Sequence, residues 1–209
     1  MSRRPPLDHE PTDASESPLV LASGSPRRKR LLELIGLRFE VVPSEVDERP
    51  NEGESPVDYA QRAARDKALD IAGCHPECWV LGADTVVEID GAILGKPAGV
   101  KAACEMLRSL SGREHLVHTA VSLVAAGNAR DLIDTAFVRF IEFDDDVISW
   151  YVASGEPMDK AGAYAVQGIG GILVDEVRGS PNTVVGLPIH RLPELFSAQG
   201  LDFWKLLRS

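Results

Sequence analysis

Residues 19–36 read LVLASGSPRRKRLLELIG, and this stretch constrains the fold more than any other. A short apolar run meets four small residues, then a proline, then a leucine-rich segment. Ser25 suits an N-cap and Pro26 the first helical position. Leu31, Leu32, Leu34 and Ile35 suit a helix packed on a core, and Gly36 suits its end. The spacing predicts a buried strand over 19–22, a tight loop, and a helix. Four cations, Arg27, Arg28, Lys29 and Arg30, crowd the first turn of that helix. A helix N-terminus already carries roughly half a positive charge, so something else must offset them.

The rest of the chain mixes strands and helices. Strands are expected at 37–43, 79–81, 115–125 and 135–143. A hairpin is expected at 86–94, turning at Asp90-Gly91. Further short strands are expected at 172–177 and 184–187. Helices are expected at 56–72, where Val57, Ala60, Ala64, Ala68 and Ile71 recur at spacings of three and four, and at 100–110, 144–154 and 188–196. Strict βαβ alternation is absent, so the expected class is α/β with a mixed sheet. Residues 1–18 are polar and proline-rich and read as a disordered extension; residues 19–209 read as one domain.

The formal net charge is −10. That disfavours nucleic acid and anionic membranes as partners. No apolar run approaches the roughly 20 residues a membrane span needs, and the start lacks the apolar core of a signal peptide. Cys74, Cys78 and Cys104 are too few and odd in number for a disulfide framework, which points to a reducing compartment, the cytoplasm.

Chemistry is expected first at the opening loop. Ala22, Ser23, Gly24 and Ser25 let backbone N–H groups approach a ligand, a helix start offers free donors, and arginine forks match phosphate oxygens. A polyanion would make the basic turn favourable; a solvated basic face or a localisation patch would also account for it. The second candidate is GADTVVEIDGAILGKP, residues 82–97. A two-residue turn at Asp90-Gly91 pairs Thr85 with Lys96 and leaves Asp84 one step away. Alternation puts Asp84 on the other face from Lys96 unless a bulge intervenes, and an ordinary surface hairpin is the competing reading. Asp, Thr and Lys together suit phosphoryl chemistry. Lys67 borders the apolar stripe of its helix, where snorkelling to solvent is the simpler expectation and a polar pocket the alternative. Glu45, Asp47 and Glu48 form an acidic loop that would hold Mg²⁺ beside a phosphate site, or simply be solvated. In GEPMDKAGAYAVQGIGG, Gln167 could read a base edge, or the segment is a turn-rich linker. The Cys74–Cys78 pair lacks a second pair at zinc-site spacing. A Ser23 or Ser25 nucleophile paired with His115 or His118 is disfavoured, because no G-x-S-x-G elbow is present.

Taken in order, LASGSPRRKRLL, EVDE, GADTVV…ILGKP, LSGREHLVHTAVSL, SGEPMDKAGAYAVQG and NTVVGLP resemble the Maf family of nucleoside triphosphate pyrophosphatases. The resemblance implies an elongated α/β fold of two lobes around a cleft, related to inosine triphosphate pyrophosphatases. It implies hydrolysis of a nucleoside triphosphate to monophosphate and pyrophosphate with a divalent cation, Mg²⁺ or Mn²⁺, and a homodimer. It makes Asp84 the proton acceptor and, with Glu48, the metal-holding candidate. It assigns phosphate binding to Ser23, Arg27 and Arg28, adds Lys67 and Lys96, and links Arg27, Thr85 and Gln167 to the choice of base. Arginine at position 27 fits the branch preferring dTTP and UTP; the 7-methyl-GTP branch typically has tryptophan there. A nucleotide-binding regulator of cell division with little catalysis is the alternative from another functional class.

Overall fold

A computed structural model describes residues 18–208; the extension expected at the N-terminus lies almost wholly outside the described residues. In chain order the elements are β1 (Leu19–Leu21), α1 (Pro26–Leu34), β2 (Glu40–Val41), α2 (Pro56–Cys74), β3 (Trp79–Ile89), β4 (Ala92–Leu94) and α3 (Val100–Leu110). They continue with β5 (Glu114–Ala125), β6 (Asn128–Phe140), α4 (Asp145–Ala153), β7 (Val174–Arg178), α5 (Pro181–Val185), α6 (Leu192–Ala198) and α7 (Phe203–Leu206). The strands form one seven-stranded mixed sheet in the order β2-β1-β3-β5-β6-β7, with β4 paired to β3. β1 runs parallel to both β2 and β3; the other pairings are antiparallel.

Local chemistry sets most of these boundaries. Ser25 and Ser55 cap α1 and α2 with their side chains, and a proline follows each at the first helical position. Asp144 accepts from the N–H groups of Asp146 and Val147 to start α4. Several expectations change. The strand foreseen at 37–43 shrinks to Glu40–Val41. The strands foreseen at 79–81 and from 86 are one strand, because β5 pairs with it without interruption from Val80 to Glu88. The strand foreseen at 184–187 is instead the end of α5: Pro181 opens that helix and Gly186, at φ 118°, closes it by donating to Asn182 O. The foreseen strand at 172–177 shifts to β7, after a 3₁₀ segment over Ile169–Leu173.

The long strands β3, β5 and β6 give the sheet two ends and two faces. On one face, Leu81, Ala83, Val121 and Leu123 pack with leucines and phenylalanines of α1, α6 and α7. Towards the other end of that face, Val87, Val117, Val138 and Phe140 pack with α3 and α4. These two apolar clusters make two lobes on a shared sheet. Between them lies a polar cross-strand row, Thr85 opposite Thr119 and Thr119 opposite Asp134. The opposite face is covered by α2, whose buried side is mostly alanine. No helix among the described residues is long and apolar enough to cross a membrane.

Candidate active site

β3 has unequal neighbours on its two edges. On one edge β5 accompanies it throughout. On the other, β1 pairs only with Trp79–Leu81 and β4 only with Val87–Ile89. Residues 82–86 therefore border a gap, and side chains from both faces of the strand reach it. A cleft of about 860 Å³ opens there, and all nine residues to which the family resemblance assigns a role line it.

Asp84 comes from the face covered by α2. Gly82, two residues earlier on the same face, explains how close that helix comes: a Cβ at Gly82 would lie 2.3 Å from Ala64 O and 2.8 Å from Ala68 N. Only glycine permits this backbone contact. The approach lays Lys67 against Asp84, with Nζ 2.6 Å from Asp84 Oδ1 and 2.9 Å from Glu48 Oε1. Lys67 is 4% exposed, so it does not snorkel; burial of an ammonium requires such partners. Lys96 joins from the far side, 3.7 Å from Glu48 Oε2. The β3–β4 register is the one expected, and the ladder ends at Leu94 without a bulge. Glu48, rather than a bulge, connects Lys96 to Asp84 through Lys67.

The loop holding Glu48 is tied to α2. Tyr59 donates to Glu48 O at 2.5 Å, and Arg62 bonds Glu54 and Arg49 O. Burial opposes ionisation of Glu48, but Lys67, Lys96 and Arg28 outweigh it and hold the carboxyl below its usual range. Burial, with Asp84 and Glu48 nearby, pushes the Tyr59 phenol up to about 12. Asp47 instead pairs with Arg49 at the surface.

The other wall is the opening loop, and its four cations diverge. Arg28 turns inward at 9% exposure. Its Nη1 donates to Ser23 Oγ at 3.0 Å, Nε to Gly186 O at 2.9 Å and Nη2 to Thr85 Oγ1 at 3.1 Å. Burial lowers its pKa, and Asp84 and Glu48 partly restore it. Thr85 bonds Thr119 at 3.0 Å, and Thr119 donates to Thr183 O at 2.7 Å. Arg28 thus closes the polar row between the lobes. Arg27 reaches across the cleft mouth to Asp159 at 3.9 Å, while Lys29 and Arg30 lie 3.8 and 3.9 Å from Glu33. Such long, exposed pairs contribute little. The first turn of α1 therefore keeps a positive potential facing the cleft.

Gln167 sits exposed at the lip. The sequence reading missed Tyr59, Thr119, Tyr151 and Glu156, which hold the named groups in place. Tyr59, Thr119 and Tyr151 show only as polar groups within otherwise apolar patterns, and Glu156 only as one residue of the SGEPMDKAGAYAVQG motif. The histidines are engaged elsewhere: His115 with Tyr164 Oη at 2.8 Å, and His118 with Thr135 and Glu88 at 2.8 and 2.7 Å. Neither is paired with a serine. Among the described residues no three His, Cys, Asp or Glu side chains cluster as a metal site.

The model of Maf-like proteins matches residues 18–199. The chain belongs to the Maf-like family. A dTTP/UTP pyrophosphatase of Syntrophus aciditrophicus is 48% identical over 184 residues, 87% of this chain and 90% of its own. One from Myxococcus xanthus is 46% identical over 194 residues, covering 92% and 98%. One from Clostridioides difficile is 45% identical over 179 residues, covering 85% and 92%. The two-lobed mixed sheet is the architecture expected of a Maf-like chain.

Proposed function

We propose that this Maf-like chain is a nucleoside triphosphate pyrophosphatase acting on dTTP and UTP. Water adds to the α-phosphorus, the α–β anhydride P–O bond breaks, and monophosphate and pyrophosphate leave. One observation carries the reading: a carboxylate (Asp84) and a buried ammonium (Lys67) share a cleft with an arginine-bearing helix start. The reading draws further support from relatives of 45–48% identity named for that activity.

In this reading Asp84 takes the proton from the attacking water. Lys67 and Lys96, with Arg27 and the backbone N–H groups after Ser23, take up the charge that spreads over the transferring phosphate and the leaving pyrophosphate. Arg28 mainly orients Ser23 and Thr85, because three of its N–H donors already have protein partners. Thr85 and Gln167 contact the sugar or base. Asp84 and Glu48 would hold Mg²⁺ or Mn²⁺. Both carboxylates converge on one ammonium, at 2.6 and 2.9 Å, and two oxygen donors suit a hard cation that arrives with the triphosphate and fills its shell with phosphate and water. When bound, the cation neutralises phosphate charge. A homodimer and a cytoplasmic location belong to the same reading.

The test is pyrophosphate release from dTTP, UTP, CTP, GTP and 7-methyl-GTP with Mg²⁺ or Mn²⁺. Preference for dTTP and UTP supports the proposal. Preference for 7-methyl-GTP keeps the chemistry and overturns the substrate assignment. Release from none overturns the enzyme reading.

A further inference from the structure

Behind the cleft lip, two side chains hold the turn that carries Gln167 at both of its ends. Tyr151 comes from α4 and Glu156 from the 3₁₀ turn that follows it. Tyr151 Oη accepts from the N–H of Ala165 at 3.1 Å and donates to Glu156 Oε1 at 2.8 Å. Glu156 Oε1 also accepts from the N–H of Gly170 at 2.9 Å, and Oε2 from the N–H of Ile169 at 3.0 Å. Only residues 166–168 lie between the clamped positions, and Ala165, Val166 and Gln167 line the cleft.

Glycines mark how closely the turn wraps these groups. A Cβ at Gly170 would lie 2.2 Å from Tyr151 Oη. A Cβ at Gly168 would lie 2.3 Å from Glu156 Oε2, and its φ of 146° is one that side-chain-bearing residues rarely adopt. Lys160, a cleft-lining residue, donates to Glu156 O at 2.7 Å and so fixes the backbone of the clamp. Burial opposes the charge on Glu156. The N–H of Gly170, the Tyr151 hydroxyl, the N–H of Ile169 and the Lys160 ammonium outweigh burial and hold the carboxyl below its usual range. Tyr151 is fully buried.

We infer that Glu156 and Tyr151 are positioning residues for base selection: they set the 165–170 turn so that Gln167 meets the nucleobase in one orientation. This rests on the proposed pyrophosphatase reading and names residues that act on its substrate only through Gln167. A turn held by three hydrogen bonds from side chains that are themselves joined lets one amide discriminate between bases. A loose turn lets that amide rotate to suit several bases.

The experiment measures kcat and KM for dTTP and CTP in the wild type, Glu156→Gln, Tyr151→Phe, Gln167→Ala and the double variant Glu156→Gln/Gln167→Ala. Loss of hydrogen bonds to a charged acceptor should cost about tenfold in the dTTP/CTP ratio of kcat/KM. The loss should appear as a raised KM for dTTP, with kcat within about threefold. Because Glu156 acts through Gln167, the double variant should be no less selective than Gln167→Ala. Amide exchange at Ile169 and Gly170 should quicken in both clamp variants. An unchanged ratio with faster exchange, additive losses in the double variant, or an equal fall in kcat on every nucleotide would each overturn the inference. Should Glu156→Gln fail to fold, Tyr151→Phe, which leaves the carboxylate in place, carries the same comparison. A wild type that releases no pyrophosphate from any triphosphate overturns the function itself, an outcome distinct from unselective variants of an active enzyme.

Discussion

Asp84 and Arg28 face the same cleft yet depend on their neighbours in different ways. Asp84 is held by one short ion pair to a buried lysine. Asn at this position keeps the shape and removes the basic oxygen. Asp84→Asn should lower kcat about 100- to 10,000-fold while the triphosphate still binds; steady-state turnover and nucleotide affinity measured together check this. Near-normal turnover would mean that another group takes the proton. Arg28 spends its fork on Ser23, Thr85 and Gly186 O. A lysine cannot satisfy three partners lying in different directions. Arg28→Lys should destabilise the fold by about 1–3 kcal/mol, through polar groups left without a partner, as well as weaken substrate binding. Urea unfolding beside substrate titration separates the two effects, and unchanged stability would deny Arg28 its role in joining the lobes.

At the scale of elements, the contact between α2 and β3 governs the site. Ala64 and Ala68 lie against Gly82 at backbone distance. A methyl group there must push the helix away, because the atoms it meets are backbone atoms with no rotamer to change. Gly82→Ala should cost at least about 1–3 kcal/mol as overpacking and should also reduce kcat by separating Lys67 from Asp84. Denaturant midpoint and turnover both report it; a variant with wild-type values in each would show that the contact yields freely. The same scale explains the helix found where a strand was expected. Val184-Val185 suggests a strand by composition, but Pro181 and Gly186 set the two ends of a single helical turn, and their backbone preferences outweigh two β-branched residues.

At the scale of the whole molecule, charge and burial set the response to pH and to polyanions. His115 is buried against Phe140 and Tyr164, and burial pushes its pKa down to about 4. Below an unfolded-state value of about 6.5 the unfolded chain takes up this proton first. Stability from this group is therefore complete above about pH 6.5 and is lost as pH falls towards 4, by roughly 3 kcal/mol in all. The lowered carboxyls of Glu48 and Glu156 add to acid sensitivity, since their contribution is present above the unfolded pKa and lost as pH falls through the folded one. Unfolding midpoints at pH 7 and pH 5 should differ less in His115→Gln than in the wild type; an equal difference would assign acid sensitivity to other groups. With a net charge of −10, the protein should pass through a heparin column in low salt despite its basic turn. Retention would point to a nucleic-acid or polyanion surface instead.

The α/β class and most element boundaries were legible in the chain alone, and the nine candidate residues it suggested line one cleft. Caps, prolines, glycines and apolar spacing are local signals, and the motif order carried the resemblance to Maf-like proteins. Tertiary structure decided which way those residues point. Lys67 turns inward because α2 lies on Gly82, a contact between residues far apart in the chain. Arg28 becomes a bridge between lobes because Gly186 O and Thr85 Oγ1 meet it from distant segments. Tyr151 and Glu156 acquire a role only when the 165–170 turn folds back over them. Periodicity can place a side chain on a face, but burial of its polar end depends on partners that only the packed chain brings within hydrogen-bonding distance.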